Sequence, residues 1–99
     1  MGAEIGKTRP AVIVSDETVG ILLLEVIVPI TDWKERYTQR NWMVRLEPSR
    51  ENGLAKLSAA DTFQVRSVSQ QRLVRQIGVL SDTIMEDLSE ALAIVLDLD

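Results

Sequence analysis

The chain has 99 residues, 45% of them hydrophobic, which is one domain's worth of core and too much apolar content for wholesale disorder. It holds no cysteine and no histidine, so disulfides, thiol chemistry, the usual zinc sites and imidazole acid–base catalysis are excluded. The formal net charge of −4 argues against loose nucleic-acid binding over the whole surface.

The charge is uneven. From Ser81 onward there are six acids and no base, so the first 80 residues hold nine acids against 11 bases. An acidic C-terminal segment on a mildly basic body suits a local anion site, and equally suits plain solvated charge. Two Trp, one Tyr and one Phe leave the core to Val, Ile and Leu, which favour sheet. No signal-peptide pattern stands at the N-terminus. The longest apolar run, Ile21 to Ile30, is broken by Glu25 and is too short to span a bilayer, so no membrane association is expected. The composition suits the cytoplasm.

The first strong element is a hairpin. Pro10 to Ser15 is apolar on both faces and predicts a buried strand. Asp16 to Gly20 is a turn. Ile21 to Pro29 predicts the return strand, with Leu22, Leu24, Val26 and Val28 on one face and Pro29 ending its ladder. The hairpin brings Arg9 in at its start and Thr31 out at its end. Thr31 to Arg40 is polar, with one helical turn near Asp32 to Arg36. It sets Lys34, Arg36 and Arg40 beside Trp33 and Tyr37, either a stacking surface for single-stranded nucleic acid or a surface loop with Trp33 packed inward.

Asn41 to Glu47 alternates as a half-buried strand, and the Pro48 to Gly53 segment is a turn. Leu54 to Ser58 is a short strand candidate. Asp61 to Val68 predicts a strand with Phe63 and Val65 inward and Thr62, Gln64 and Arg66 on the other face. Ser69 to Arg72 is a tight turn, and Val74 to Leu80 a last strand with Gly78 as a bulge or close-approach point. Ser81 is an N-cap, and Ile84, Leu88, Ala91, Leu92 and Val95 fall at helical spacing to about Leu96. The expectation is a mainly β protein: a small, bent sheet or barrel covered by one C-terminal amphipathic helix.

Composition and period alone name no enzyme, and Walker, dinucleotide and paired metal-ligand motifs are absent. The Asp97-Leu98-Asp99 tail reads as a solubilising terminus, so no metal or other cofactor is expected. Three ordered blocks are more specific. Gly2, Glu4 and the run Ile5 to Val14 resemble the signature of the MazF/PemK (Kid) toxins of type II toxin–antitoxin systems. Val26 to Thr31, ending Pro-Ile-Thr, is similar to their second signature. Gln64 to Val68, Arg72-Leu73, Ile77-Gly78 and Leu80-Ser81 match their third block in order.

That resemblance implies an SH3-like barrel of the MazF/PemK/CcdB type. It implies a homodimer, a cognate antitoxin partner, and metal-independent, sequence-selective cleavage of single-stranded RNA, usually mRNA, by 2′-hydroxyl attack. By position in the signatures, Arg9 would bind phosphate and stabilise its charge, since a guanidinium grips oxygens bidentately. Thr31 would orient or protonate a phosphate oxygen, and Glu4 would act as base. The bland alternatives are a Glu4–Arg9 surface ion pair and an ordinary strand-end threonine. Lys7, Ser58, Asp61, Gln64 and Arg66 would contact substrate.

The sequence departs from the family in two places. Family members often carry Asp directly before the Gln, where this chain has Phe63; Asp61, two residues earlier, would share its face of a strand. Family members also begin with a strand and turn before the Gly-x-Glu, where this chain has only Met1. A sheet without that strand would have an open edge. The expectation is then an upstream start, closure by another chain, or a catalytically inactive homologue that binds RNA or antitoxin.

Overall fold

The computed structural model describes residues 8–98. Five strands and one helix make up its regular structure: β1 (Ala11–Ile13), β2 (Leu24–Asp32), β3 (Met43–Leu46), β4 (Ser58–Asp61), β5 (Arg66–Ser69) and α1 (Asp82–Val95). All pairings are antiparallel, and β2 is the hub, bonded to β1, β4 and β5, with β3 outside β4. Among the described residues β1, β3 and β5 each have one neighbour, so the ladder does not run full circle.

The register of β2 organises everything else. On one edge Ala11, Val12 and Ile13 face Pro29, Val28 and Ile27, and the Ile30 N–H donates to the Pro10 carbonyl at 3.1 Å. On the other edge Ile27 faces Arg66 of β5, and Ile30 faces Ala60 of β4. Between those two pairs β2 passes through two residues, Val28 and Pro29, while its partner passes through five, 61–65. The partner therefore carries three extra residues, and the 3-10 turn Thr62–Gln64 is that insertion. Pro29 has no N–H to offer, and it stands where the partner has swung away. This is the kind of site at which a sheet tolerates proline.

This corrects two expectations. Pro29 does not end its strand, which runs on to Asp32. The segment Asp61 to Val68 is not one strand but β4, a 3-10 turn and β5. The turn inverts the predicted faces at two positions, Thr62 being fully buried and Phe63 68% exposed, while Val65 packs inward and Gln64 and Arg66 lie exposed as expected. The Thr62 hydroxyl donates to the Trp42 carbonyl at 2.6 Å, which meets the requirement that a buried polar group be bonded.

Alternation along β2 separates two apolar clusters. Val28 and Ile30 join Val12, Val44, Leu46 and Ala60 under Leu88 and Ala91 of α1. On the other side Tyr37, Met43 and Ala59 pack with Trp33 and Trp42. Glu25, the charge inside β2, accepts from the Ser15 hydroxyl at 2.6 Å and the Gln70 amide at 2.9 Å.

Three further expectations change. Residues Ile21 and Leu22 belong to a 3-10 segment, Glu17–Leu22, before β2. Leu54 to Leu57 is irregular, and β4 begins only at Ser58. Val74 to Leu80 is apolar but forms no ladder; its Val79 N–H donates to the Glu51 carbonyl at 2.8 Å, and Val74 and Val79 lie exposed. The helix follows its sequence signals. Ser81 caps it, its hydroxyl accepting from the Ile84 N–H at 3.2 Å. Asp97, at φ 56°, closes the far end while the Leu98 N–H returns to the Ala93 carbonyl at 2.8 Å.

Gly78 is a close-approach point. A Cβ there would overlap the Glu51 carbonyl oxygen and lie 2.5 Å from the Asn52 carbonyl carbon. We therefore expect Gly78→Ala to cost about 2 kcal/mol or more in chemical denaturation, by forcing the 49–53 turn off the chain beneath it. An unchanged midpoint would contradict that packing.

Candidate active site

The β1–β2 register, continued two residues beyond Ala11↔Pro29, sets Arg9 across from Thr31. In such a pair the side chains stand on the same face of the sheet. Both line one open cavity of about 400 Å³, together with Pro10, Pro29, Ile30 and Tyr37. The inserted turn supplies the opposite wall. Asp61, at its start, and Gln64, at its end, line the cavity, as do Arg66 and Arg72 just beyond.

Alternation in β4 explains which residues reach it. Ala59 pairs with Thr31, so Asp61, two residues on, shares Thr31's face of the sheet, whereas Ser58 turns to the other. Asp61 is half-buried, and one of its oxygens accepts from the Phe63 N–H at 3.1 Å. That bond fixes the carboxylate at the head of the turn.

Among the described residues the lining thus holds three guanidinium groups, Arg9, Arg66 and Arg72, and one carboxylate, Asp61. The local excess is positive although the whole chain is negative. Arginine forks, a threonine hydroxyl and a glutamine amide form a donor set for phosphate oxygens. The exposed mouth admits an extended ligand. Among the described residues no group of three or more His, Cys, Asp or Glu could hold a metal ion, and no helix is long and apolar enough to cross a membrane.

Of the residues singled out from the sequence, Arg9, Thr31, Asp61, Gln64 and Arg66 come together. Ser58 does not. It is buried, and its hydroxyl donates to the Lys56 carbonyl at 2.8 Å, so it has no path to a ligand in the cavity. Glu4 and Lys7 lie outside the described residues.

Two lining residues were not among those candidates. Arg72 lies in the third sequence block, and its charge was the available signal. Tyr37 belongs to the segment that suits either a stacking surface or a surface loop; it is buried, edge-on to Trp33 at 5.7 Å, with Arg36 and Arg40 at 5.4 and 5.3 Å from its ring centre. The loop is packed rather than free. Trp33 partly covers Tyr37, and its indole N–H donates to Glu35 at 3.0 Å.

Comparison with known proteins bears on the family and the fold. The model for the PemK-like, MazF-like toxin of type II toxin–antitoxin systems matches residues 1–96. The chain is 28% identical over 95 residues to a probable endoribonuclease MazF of Mycolicibacterium smegmatis, covering 96% of this chain and 85% of the relative. The fold is similar to that of the Mycobacterium tuberculosis toxin MazF-mt6, with a TM-score of 0.81 and 28% identity, covering 98% of this chain and 94% of that one. A mycobacterial endoribonuclease solved with its cognate antitoxin has a TM-score of 0.82 at 19% identity, covering 99% and 89%, a likeness of fold.

The lining makes a prediction independent of any reaction. Pyrophosphate titrated at low salt should shift the amide resonances of Thr31, Gln64 and Arg72, and Arg72→Gln should weaken it about fivefold. Shifts confined to other faces would contradict the assignment.

Proposed function

The chain belongs to the PemK-like, MazF-like toxin family of type II toxin–antitoxin systems, and from that premise we propose that it is the toxin itself, an endoribonuclease. Its substrate is single-stranded RNA, messenger RNA above all, cut at selected sequences without a metal ion. The observation that carries this reading is the one cavity shared by Arg9, Thr31, Asp61, Gln64, Arg66 and Arg72.

Cleavage of this kind needs three services. A base removes the proton of the 2′-hydroxyl, a cation bears the charge that gathers on phosphorus, and the departing 5′-oxygen gains a proton. The 2′-oxygen bonds to phosphorus as the bond to the 5′-oxygen breaks, the base keeps the 2′-hydroxyl proton and solvent water protonates the 5′-oxygen, leaving a 2′,3′-cyclic phosphate and a 5′-hydroxyl. Arg9 grips the scissile phosphate, and Thr31 across the ladder orients one of its oxygens. Glu4 is the base implied by the family signature. Asp61 is the carboxylate lining the cavity among the described residues, and it serves as the base in this reading. Gln64, Arg66 and Arg72 hold the flanking chain.

Exposed Leu22, Leu23 and Leu24 follow one another where β2 begins, at its end remote from Thr31. An apolar patch of this kind supports pairing with a second copy. A cognate antitoxin chain blocks the cavity, and the toxin meets its RNA in the cytoplasm.

The test is a long single-stranded transcript incubated with purified protein in EDTA. Wild type should produce cyclic-phosphate ends, and Arg9→Ala should slow cutting at least ~100-fold. No cutting by wild type, or equal cutting by the variant, overturns the reading; RNA held but uncut would make the chain a binding module.

A further inference from the structure

Among the described residues Phe63 is the largest exposed apolar side chain outside both core clusters. It is 68% exposed, although the residues on either side are tied down. Its own N–H donates to Asp61, Thr62 is fully buried and bonded through both N–H and hydroxyl to the Trp42 carbonyl, and the Val65 N–H returns to the Thr62 carbonyl at 3.2 Å. The backbone of the inserted turn is therefore fixed, and the ring is held outward by it.

The ring is not isolated. It leans on Trp42, centroids 6.1 Å apart at 49°. The Arg40 guanidinium lies 5.9 Å from the Trp42 ring and 5.3 Å from the Tyr37 ring. Tyr37 is part of the cavity wall, and so are Asp61 and Gln64 on either side of Phe63. A row of rings and a cation thus adjoins the guanidinium-lined cavity at both ends.

We propose that Phe63, backed by Trp42, is a stacking platform for a nucleobase flanking the phosphate held by Arg9 and Thr31. This rests on the nuclease reading above and adds to it the residue that seats a neighbouring base. Single-strand binders combine a cationic track for the backbone with aromatic faces for the bases, because every base has a π-face to offer. The cavity's three arginines select the occupant: a polyanion whose backbone lies between them carries its next base onto the adjoining ring. A phenyl ring has no hydrogen bond to offer a base edge and can meet a base only through its face.

The test compares wild type, Phe63→Ala, Phe63→Leu and Phe63→Trp on the transcript cut by wild type. Phe63→Ala should lower kcat/KM about tenfold without moving the thermal midpoint, Phe63→Leu should stay low, and Phe63→Trp should restore cutting. On a short RNA spanning a mapped cut site, an abasic nucleotide beside the cut should cost wild type about as much and Phe63→Ala nothing further. Equal rates for wild type and Phe63→Ala, or full rescue by leucine, overturn the platform. Unchanged cutting with an altered oligomeric state gives the ring to a protein contact instead. If wild type cuts no RNA, the nuclease reading falls and the platform with it, so the two failures are told apart.

Discussion

The pairing of β2 with two neighbours out of step is the constraint on which this molecule turns. One edge of β2 keeps a continuous register with β1 and delivers Arg9 opposite Thr31. The other edge changes register by three residues beside Pro29, and the surplus becomes the turn Thr62–Gln64. The cation and the hydroxyl come from the regular edge, and the carboxylate and amide come from the irregular one. A sheet bonded evenly on both sides would have covered Pro29 and left no recess. The buried Thr62 hydroxyl, bonded across to the Trp42 carbonyl, keeps the insertion from relaxing.

Electrostatics follow the same division. The helix carries Asp82, Glu86, Asp87 and Glu90 on the side of the sheet that packs against Val28 and Ile30. The guanidinium groups of Arg9, Arg66 and Arg72 gather at the cavity. A chain of net charge −4 can therefore present one positive recess while its remaining acids repel a polyanion elsewhere. The exposed ion pairs Arg45–Glu47 and Lys56–Asp32 contribute little to stability.

Much of this was legible in the residues. Alternation in 41–47, the Ser81 cap and the 3.6-residue spacing after it each gave the right element, because a single local rule decides each. The hairpin pattern set Arg9 and Thr31 at its two ends, and the family blocks singled out that pair. Phe63 and Thr62 exchange the faces that a period of two gives them, because the inserted turn interrupts the strand, while Val65 and Val68 beyond it still face inward. Ser58, singled out through the family resemblance, faces away from the cavity. Val74 and Val79 look like strand residues, yet no neighbour offers them a ladder. Tyr37 stands in the basic–aromatic segment and Arg72 in the third family block, but only long-range packing brings the two to the cavity.

In the proposed reaction Arg9 and Thr31, facing one another across the β1–β2 ladder, clasp a single scissile phosphate. That clasp is tested most directly by a crystal structure with an RNA made uncleavable by a 2′-deoxy sugar at the mapped cut site. The account predicts that phosphate between the Arg9 guanidinium and the Thr31 hydroxyl, with the chain running past Gln64. RNA seated instead in the groove between β3 and α1, lined by Asp87 and Glu90, would contradict it.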